Sequence, residues 1–128
     1  MGGVGVRQQD WQVLDARIFP QAKDAERALL GGAIQSPRQI EECREVVQPG
    51  DFYHREHGAL WLAMLHMADA NENIDLVTVT DRVCRGGNDE MFGGLAYVLD
   101  LHAEAPSTGY LVHYSKIIAE KARLRRLI

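Results

Sequence analysis

The run His54-Arg55-Glu56-His57 holds the residues of this chain whose types come nearest to a metal or acid–base site. A helical zinc protease places two histidines four apart, so that both rings fall on one face, with a glutamate right after the first. Here the histidines are three apart and the glutamate precedes the second, an order that matches no zinc motif. They read as cap and surface groups at the start of a helix. His66, within an apolar run, reads as a core-edge histidine with one hydrogen bond. No phosphate loop of the form GxxxxGK[ST] is present, because none of Lys23, Lys116 and Lys121 follows a glycine. The pairs Gly86-Gly87 and Gly93-Gly94 lack the preceding strand that a dinucleotide site requires. Cys43 and Cys84 have no CxxC spacing and read as two incidental thiols of a reduced protein. No nucleophile elbow supports a Ser–His–Asp set. No catalytic, cofactor-binding or metal-ligating residue is therefore assigned.

The one local charge asymmetry is Lys116, Lys121, Arg123, Arg125 and Arg126, opposed only by Glu120. It reads as a solvated helix face that complements the negative end of the helix dipole. The whole chain carries a net charge of −4. Phosphate contacts supply most nucleic-acid affinity, so tight DNA or RNA binding by this chain alone is not expected. With 128 residues, 46% apolar and 25% charged, the chain suits one domain with a real core. No secretory signal pattern opens it, and no apolar run approaches the ~20 residues of a membrane span.

These side chains must be positioned by helices. Residues 51–71, DFYHREHGALWLAMLHMADAN, form a helix that is apolar nearly all round, so the sequence places it in the middle of the fold, with Trp61 buried. Before it, Ala25, Leu29, Ala33 and Ile34 share one helical face, interrupted by Gly31 and Gly32 at about 1 kcal/mol each relative to Ala. Those two glycines point to close approach by a neighbouring helix. Ser36-Pro37 reads as an N-cap and first turn, leading a helix with Ile40, Cys43, Val46 and Val47 inward. Residues 74–80, IDLVTVT, favour a strand by propensity. Asp75 can cap, however, and no second strand exists to pair with it, so the expectation is a helix. Gly86-Gly87 ends that helix, and Gly93-Gly94 begins another that closes near Pro106. Residues 1–19, which include Trp11, Val13, Leu14, Ile18 and Phe19, are expected to form a mobile arm.

The last helix, 107–128, carries Tyr110, Tyr114, Ile117, Lys121, Leu124 and Ile128 at alternating steps of four and three, a heptad-like stripe. Leu111, Ile118 and Ala122 widen it. Leu111, Tyr114 and Ile118 are expected to close the core. Ile128 lies ~25 Å further along, so Leu124, Leu127 and Ile128 are expected to project past the head, exposed. No Gly or Pro terminates this helix, which is expected to be cut short at 128.

Several stretches resemble, in order and spacing, the N-terminal domain of the bacterial replicative DNA helicase, the DnaB family. They are residues 20–31 (PQAKDAERALLG), Asp51-Phe52-Tyr53 with His57 and residues 60–64 (LWLAM), and residues 74–78 (IDLVT). Then follow residues 93–98 (GGLAYV), Ala105-Pro106-Ser107, Tyr114, and residues 117–126. The resemblance covers about residues 20–128.

It implies an all-α chain: a compact multi-helix head over 20–106 with a central buried helix, then residues 107–128 as the first helix of an inter-subunit hairpin. The implied function is a non-catalytic collar domain that supports hexamer assembly, as dimer pairs, and docks primase and the helicase loader during DNA replication. The implied parent is an ATP-dependent helicase whose motor lies beyond residue 128 and uses ATP and Mg. Its place is the cytoplasm of a bacterial or phage-infected cell, at the fork. The interface is assigned to Tyr110, Ile117, Lys121, Leu124, Arg125, Leu127 and Ile128. Two other readings stand beside this one: a stand-alone helical adaptor that mimics the collar to regulate or load the helicase, and a small enzyme whose site the sequence does not display.

Overall fold

The computed structural model describes residues 22–106 and 108–128, all of them helix, turn or loop, with no strand. The expectations for residues 1–19 lie outside the described residues. Among the described residues six α-helices follow one another: α1 Lys23–Gln35, α2 Ile40–Arg44, α3 Arg55–Asp69, α4 Leu76–Cys84, α5 Leu95–Ala103 and α6 Leu111–Arg125. Short 3-10 turns lie between several of them.

A central buried helix is present, but it is α1 rather than the 51–71 segment. Every residue of α1 from Ala28 to Ile34 is buried, as are Ala25 and Glu26. Helices α5 and α6 pack most extensively against it, and α3 and α4 also touch it. The two glycines make this possible without interrupting the helix. A Cβ on Gly31 would overlap the Leu101 carbonyl oxygen, and one on Gly32 would run into Leu111 Cδ2. The propensity lost at each glycine is offset by backbone-close packing of α5 and α6.

Helix α3 buries His57, Leu60, Trp61, Met64, Leu65 and Met67. It is not covered all round, because Leu62 and His66 share a solvent stripe with Arg55 and Asp69. His66 is therefore a surface residue rather than a core-edge one. Trp61 is fully buried, and its Nε1–H donates to the Val47 carbonyl at 3.3 Å. Buried indoles find such a partner because an unmet N–H is costly. Asn71, with φ 57, ends the helix in the left-handed conformation that asparagine tolerates.

Pro37 opens a 3-10 turn, Pro37–Gln39, before the short α2. The Ser36 hydroxyl caps nothing; it accepts from Gln39 Nε2 at 3.0 Å. Ile40, Cys43 and Val47 are buried as the pattern requires, whereas Val46 is half-buried. Burial pushes the Cys43 thiol above its ordinary range. The 74–80 segment is helical from Leu76, against its strand propensity. Asp75 Oδ1 accepts from the Thr78 N–H and Thr78 Oγ1 accepts from the Asp75 N–H, both at 2.9 Å. That reciprocal cap satisfies donors a lone strand would leave open. Gly86 and Gly87 (φ 71 and 74) end the α4 segment, and Gly93 and Gly94 (φ 89 and 95) lead into α5.

Candidate functional site

Two rows of side chains run along α6, about a quarter turn apart on a helix of 3.6 residues per turn. The inner row is Leu111, Ser115, Ile118 and Ala122, all buried against the head. Its small members let the backbone come close, and Ser115 satisfies its hydroxyl by donating to the Leu111 carbonyl at 3.0 Å. The heptad-like stripe is the neighbouring row. Tyr114, Ile117, Lys121 and Leu124 along it are half-buried, and its ends, Tyr110 and Ile128, are 61% and 69% exposed. The sequence identified the stripe and expected Leu111, Tyr114 and Ile118 to close the core; Leu111 and Ile118 are buried there and Tyr114 packs against it, while Ser115 joins them unforeseen and Ile117 packs against the core as well.

The end of α6 rests on the head instead of projecting clear of it, although Leu127 and Ile128 are exposed as expected. Its last turn lies on the 3-10 turn Pro49–Asp51. Arg125 Nη2 donates to the Asp51 carbonyl at 2.6 Å, and its guanidinium stands 5.3 Å from the Tyr53 ring centre. Arg126 pairs with Asp51 Oδ1. Beyond these contacts Leu127 is 73% exposed. Of the seven residues assigned to an interface, Tyr110, Leu127 and Ile128 are exposed, while Ile117, Lys121, Leu124 and Arg125 are half-buried. By helical spacing Tyr110, Ile117, Lys121, Leu124 and Ile128 share one row, with Arg125 and Leu127 on opposite sides of it.

The interior holds a polar chain that the sequence reading missed. His57, expected at the surface or in a cap, is 1% exposed. Its Nδ1 lies 2.7 Å from Glu26 Oε1, and its Nε2 lies 2.6 Å from the Tyr97 hydroxyl. The His57 and Tyr97 rings stack at 5.7 Å, and Arg27 lies over the tyrosine ring at 5.2 Å while pairing with Glu104 at 2.7 Å. Burial raises the Tyr97 hydroxyl above its ordinary range. Carboxylate, imidazole and hydroxyl in line are the parts of a nucleophilic relay. Here, however, Glu26 also accepts from the backbone N–H groups of Tyr53 and His54, at 2.7 and 3.4 Å. The carboxylate thereby secures the chain that leads into α3, and the relay fastens α1, α3 and α5 together. His54 itself occupies the N-cap position of α3 without a side-chain cap bond. The signal for this chain was Glu26 on the apolar face of α1, beside Ala25 and Leu29.

The surface clefts are open. One of about 490 Å³ is lined by Arg38, Glu41, Asn71 and Ile74, among others, and one of about 470 Å³ by Met67, Val77, Asp81 and Arg82. In the second, Arg82 is already paired with Glu72 at 2.8 Å.

Residues 18–120 match the family model described as the DnaB-like helicase N terminal domain. The chain is 38% identical over 116 residues to the replicative DNA helicase DnaC of Bacillus subtilis (strain 168), and 37% identical over 117 residues to the replicative DNA helicase DnaB of Geobacillus stearothermophilus. In both cases 91% of this chain is covered but only 26% of the relative, so the chain spans about a quarter of their length. The fold is similar to the crystal structure of the N-terminal domain of DnaB helicase from Mycobacterium tuberculosis. There the TM-score is 0.80 at 37% identity, covering 85% of this chain and 79% of that one. It is also similar to a structure of a DnaB-like replicative helicase and its interactions with primase, at TM-score 0.71 and 25% identity, covering 82% of this chain and 25% of that one.

Proposed function

The chain belongs to the family of DnaB-like helicase N-terminal domains, and on that premise we propose that it acts as the non-catalytic collar of a replicative helicase. Its work is to bury apolar helix surface between subunits, pairing copies within a hexamer, and to offer a docking face to primase and the helicase loader. ATP and Mg belong to a motor domain that the relatives' greater length leads us to place after residue 128. No described helix is long and apolar enough to cross a membrane. The family membership leads us to place its action in the cytoplasm, at a replication fork.

The observation that carries this reading is the second row of α6. A helix that closes its own head needs one apolar row, and α6 has two. Beside the buried row, Ile117 and Leu124 are half-buried, Ile117 against the core, and Tyr110 and Ile128 at the two ends of the same row are exposed. A partly exposed apolar row of this kind suits an interface. Heptad-like steps of four and three suit a helix of another subunit laid alongside. The related helicase whose structure concerns interactions with primase supports the second partner.

Sedimentation velocity tests the assembly role. The chain should self-associate weakly in a concentration-dependent way, and Leu124→Glu with Ile128→Glu should abolish the dimer while the helical circular dichroism signal and melting temperature stay put. An unchanged dimer in the double variant places the interface on the head and overturns the assignment. Primase docking is tested by titrating the purified cognate primase onto the same two proteins by calorimetry, with heat of binding expected for the native chain.

A further inference from the structure

The ring of His54 is wedged where the start of α3 meets α1 and α5. It stands edge-on to the Tyr53 ring and to the His57 ring, each 5.1 Å away between centres. Its Nδ1 lies 3.7 Å from Glu56 Oε1, too far for a hydrogen bond. Its Nε2 is shut off from water and has no hydrogen-bond partner among the described residues. A buried polar atom left unmatched is rare and costs free energy. The main chain of this residue is fixed independently of the ring. Its N–H donates to Glu26 at 3.4 Å, and its carbonyl accepts from the His57 and Gly58 N–H groups at 3.0 and 3.1 Å. Beside the ring opens a cleft of about 260 Å³ lined by Lys23, His54, Glu56, Gly93 and Tyr97.

We propose that His54 is a proton-operated switch, whose ring turns out of its slot into this cleft on protonation and uncovers His57. Protonation gives an imidazole two N–H donors. Where the ring stands, Nδ1–H can reach Glu56 by a short movement, but Nε2–H meets no acceptor and a full charge is enclosed. Burying a charge and a donor together is costly. Turning about the side-chain torsions offers Nε2–H to water in the cleft and keeps Nδ1–H beside Glu56, whose side chain is 38% exposed. The main-chain bonds are untouched by that turn, so the helix start stays in place while the ring moves. The surrounding groups set the balance. From α1, Glu26 favours the imidazolium and Lys23 opposes it; on α3, Glu56 favours it and His57 opposes it. The Tyr97 phenol of α5 lines the cleft, and Arg125 of α6 lies on the Tyr53 ring, 5.3 Å from its centre. Burial outweighs the favourable charges and keeps the slotted ring neutral. When the ring leaves, His57 loses one of the two rings packed on it, the other being Tyr97. The joint of α1, α3 and α5 through Glu26, His57 and Tyr97 thereby responds to a proton taken up beside it. This device does not depend on the assembly reading.

An NMR titration of the native chain from neutral to mildly acidic pH tests it, with His54→Gln to assign the ring signals. Ring nitrogen shifts report protonation, and Overhauser contacts from the His54 ring to the Tyr53 and His57 rings report its position. Protonation should have its midpoint below 6.5, and both contacts should be lost with that same midpoint. The contact between the Phe52 and Trp61 rings, 6.1 Å apart in the core, should persist throughout. Glu56→Gln, a change on the surface, should lower the midpoint further because the turned ring loses its charged partner. Protonation with both ring contacts retained overturns the switch, since the charge is then accommodated in place. An unmoved midpoint in Glu56→Gln overturns it as well. Loss of the Phe52–Trp61 contact at the same midpoint also overturns it, because the change is then unfolding of the whole head.

Discussion

Glu26 and His57 are 31 residues apart in sequence and meet with Nδ1 2.7 Å from Oε1, each only 1% exposed. A carboxylate so deep is tolerated because its lone pairs are used: His57 takes one oxygen, and the Tyr53 N–H takes the other. Removing one partner of such a pair leaves an uncompensated buried polar group, at a cost of about 3–5 kcal/mol. Glu26→Ala should therefore lower the urea unfolding midpoint sharply, and His57→Ala should do the same. The double variant should cost much less than the sum of the two, which a double-mutant cycle reads directly. Additive losses would mean that the two residues act independently.

Sequence made the helix types legible and missed this pair, for a physical reason. Asp75 announces a helix start through a local bond, and Gly31-Gly32 announces a close approach through composition alone. Glu26 and His57 become partners only when α1 and α3 cross, and neither residue's neighbours encode that crossing. On α6 the sequence picked out Leu111, Tyr114 and Ile118 for the core and passed over Ser115. Both rows step by four and three, but the core row contains Ser115 and Ala122, which look weak in a hydrophobic count. They are small because the head comes close there, and size fitted to a neighbour is invisible until the neighbour is known. The row from Tyr110 to Ile128 was legible as a stripe, while the docking of its end onto Asp51 was not.

Gly31→Ala should destabilise the chain even though alanine is the better helix former by about 1 kcal/mol. The added methyl would overlap the Leu101 carbonyl oxygen and lie 2.9 Å from Ala105 Cβ. Backbone cannot yield as a side chain can, and overpacking of this kind costs about 1–3 kcal/mol. The net effect should be a lower midpoint, with α5 amides exchanging faster. Gly50→Ala, where nothing lies within 4 Å, serves as the comparison and should be close to neutral. A stabilised Gly31→Ala protein would show that α5 does not approach α1 as described.

Trp61 is shut off from water, with the Phe52 ring 6.1 Å away and its N–H on the Val47 carbonyl. Truncation to alanine should cost about 3–5 kcal/mol through the loss of buried apolar area and the cavity left behind. That is a large part of the ~5–15 kcal/mol a domain possesses. Trp61→Phe should recover most of the loss, short of the indole hydrogen bond. A chemical denaturation curve with an unmoved midpoint in Trp61→Ala would contradict the packing.

Burial holds His54 below its ordinary value of 6.5, against the opposing pull of Glu26. The folded chain therefore resists protonating this ring, whereas the unfolded chain accepts the proton near 6.5. Stability is unaffected by His54 well above that value and falls as pH drops through 6.5 toward the lowered folded value, because the unfolded state then binds more protons. Urea midpoints measured between neutral and mildly acidic pH should decline for the native chain. Replacing the ring by His54→Gln should make the decline shallower. Identical slopes would remove His54 as a source of acid sensitivity.

The chain should not bind single-stranded DNA tightly, despite the five cations near its end. Three of them are already engaged: Arg123 with Glu120, and Arg125 and Arg126 with Asp51. Phosphate binding at those positions has to displace protein partners, and the net charge of −4 opposes the approach of a polyanion. A protein that neutralises few phosphates releases few counterions, so its affinity also depends only weakly on salt. Fluorescence anisotropy with a labelled oligonucleotide at physiological salt should show weak binding, with a shallow salt slope. Lys116→Ala with Lys121→Ala should remove most of what remains. Sub-micromolar affinity in the native chain would mean that the α6 arginines leave Asp51 for phosphate, and that this face touches the nucleic acid directly.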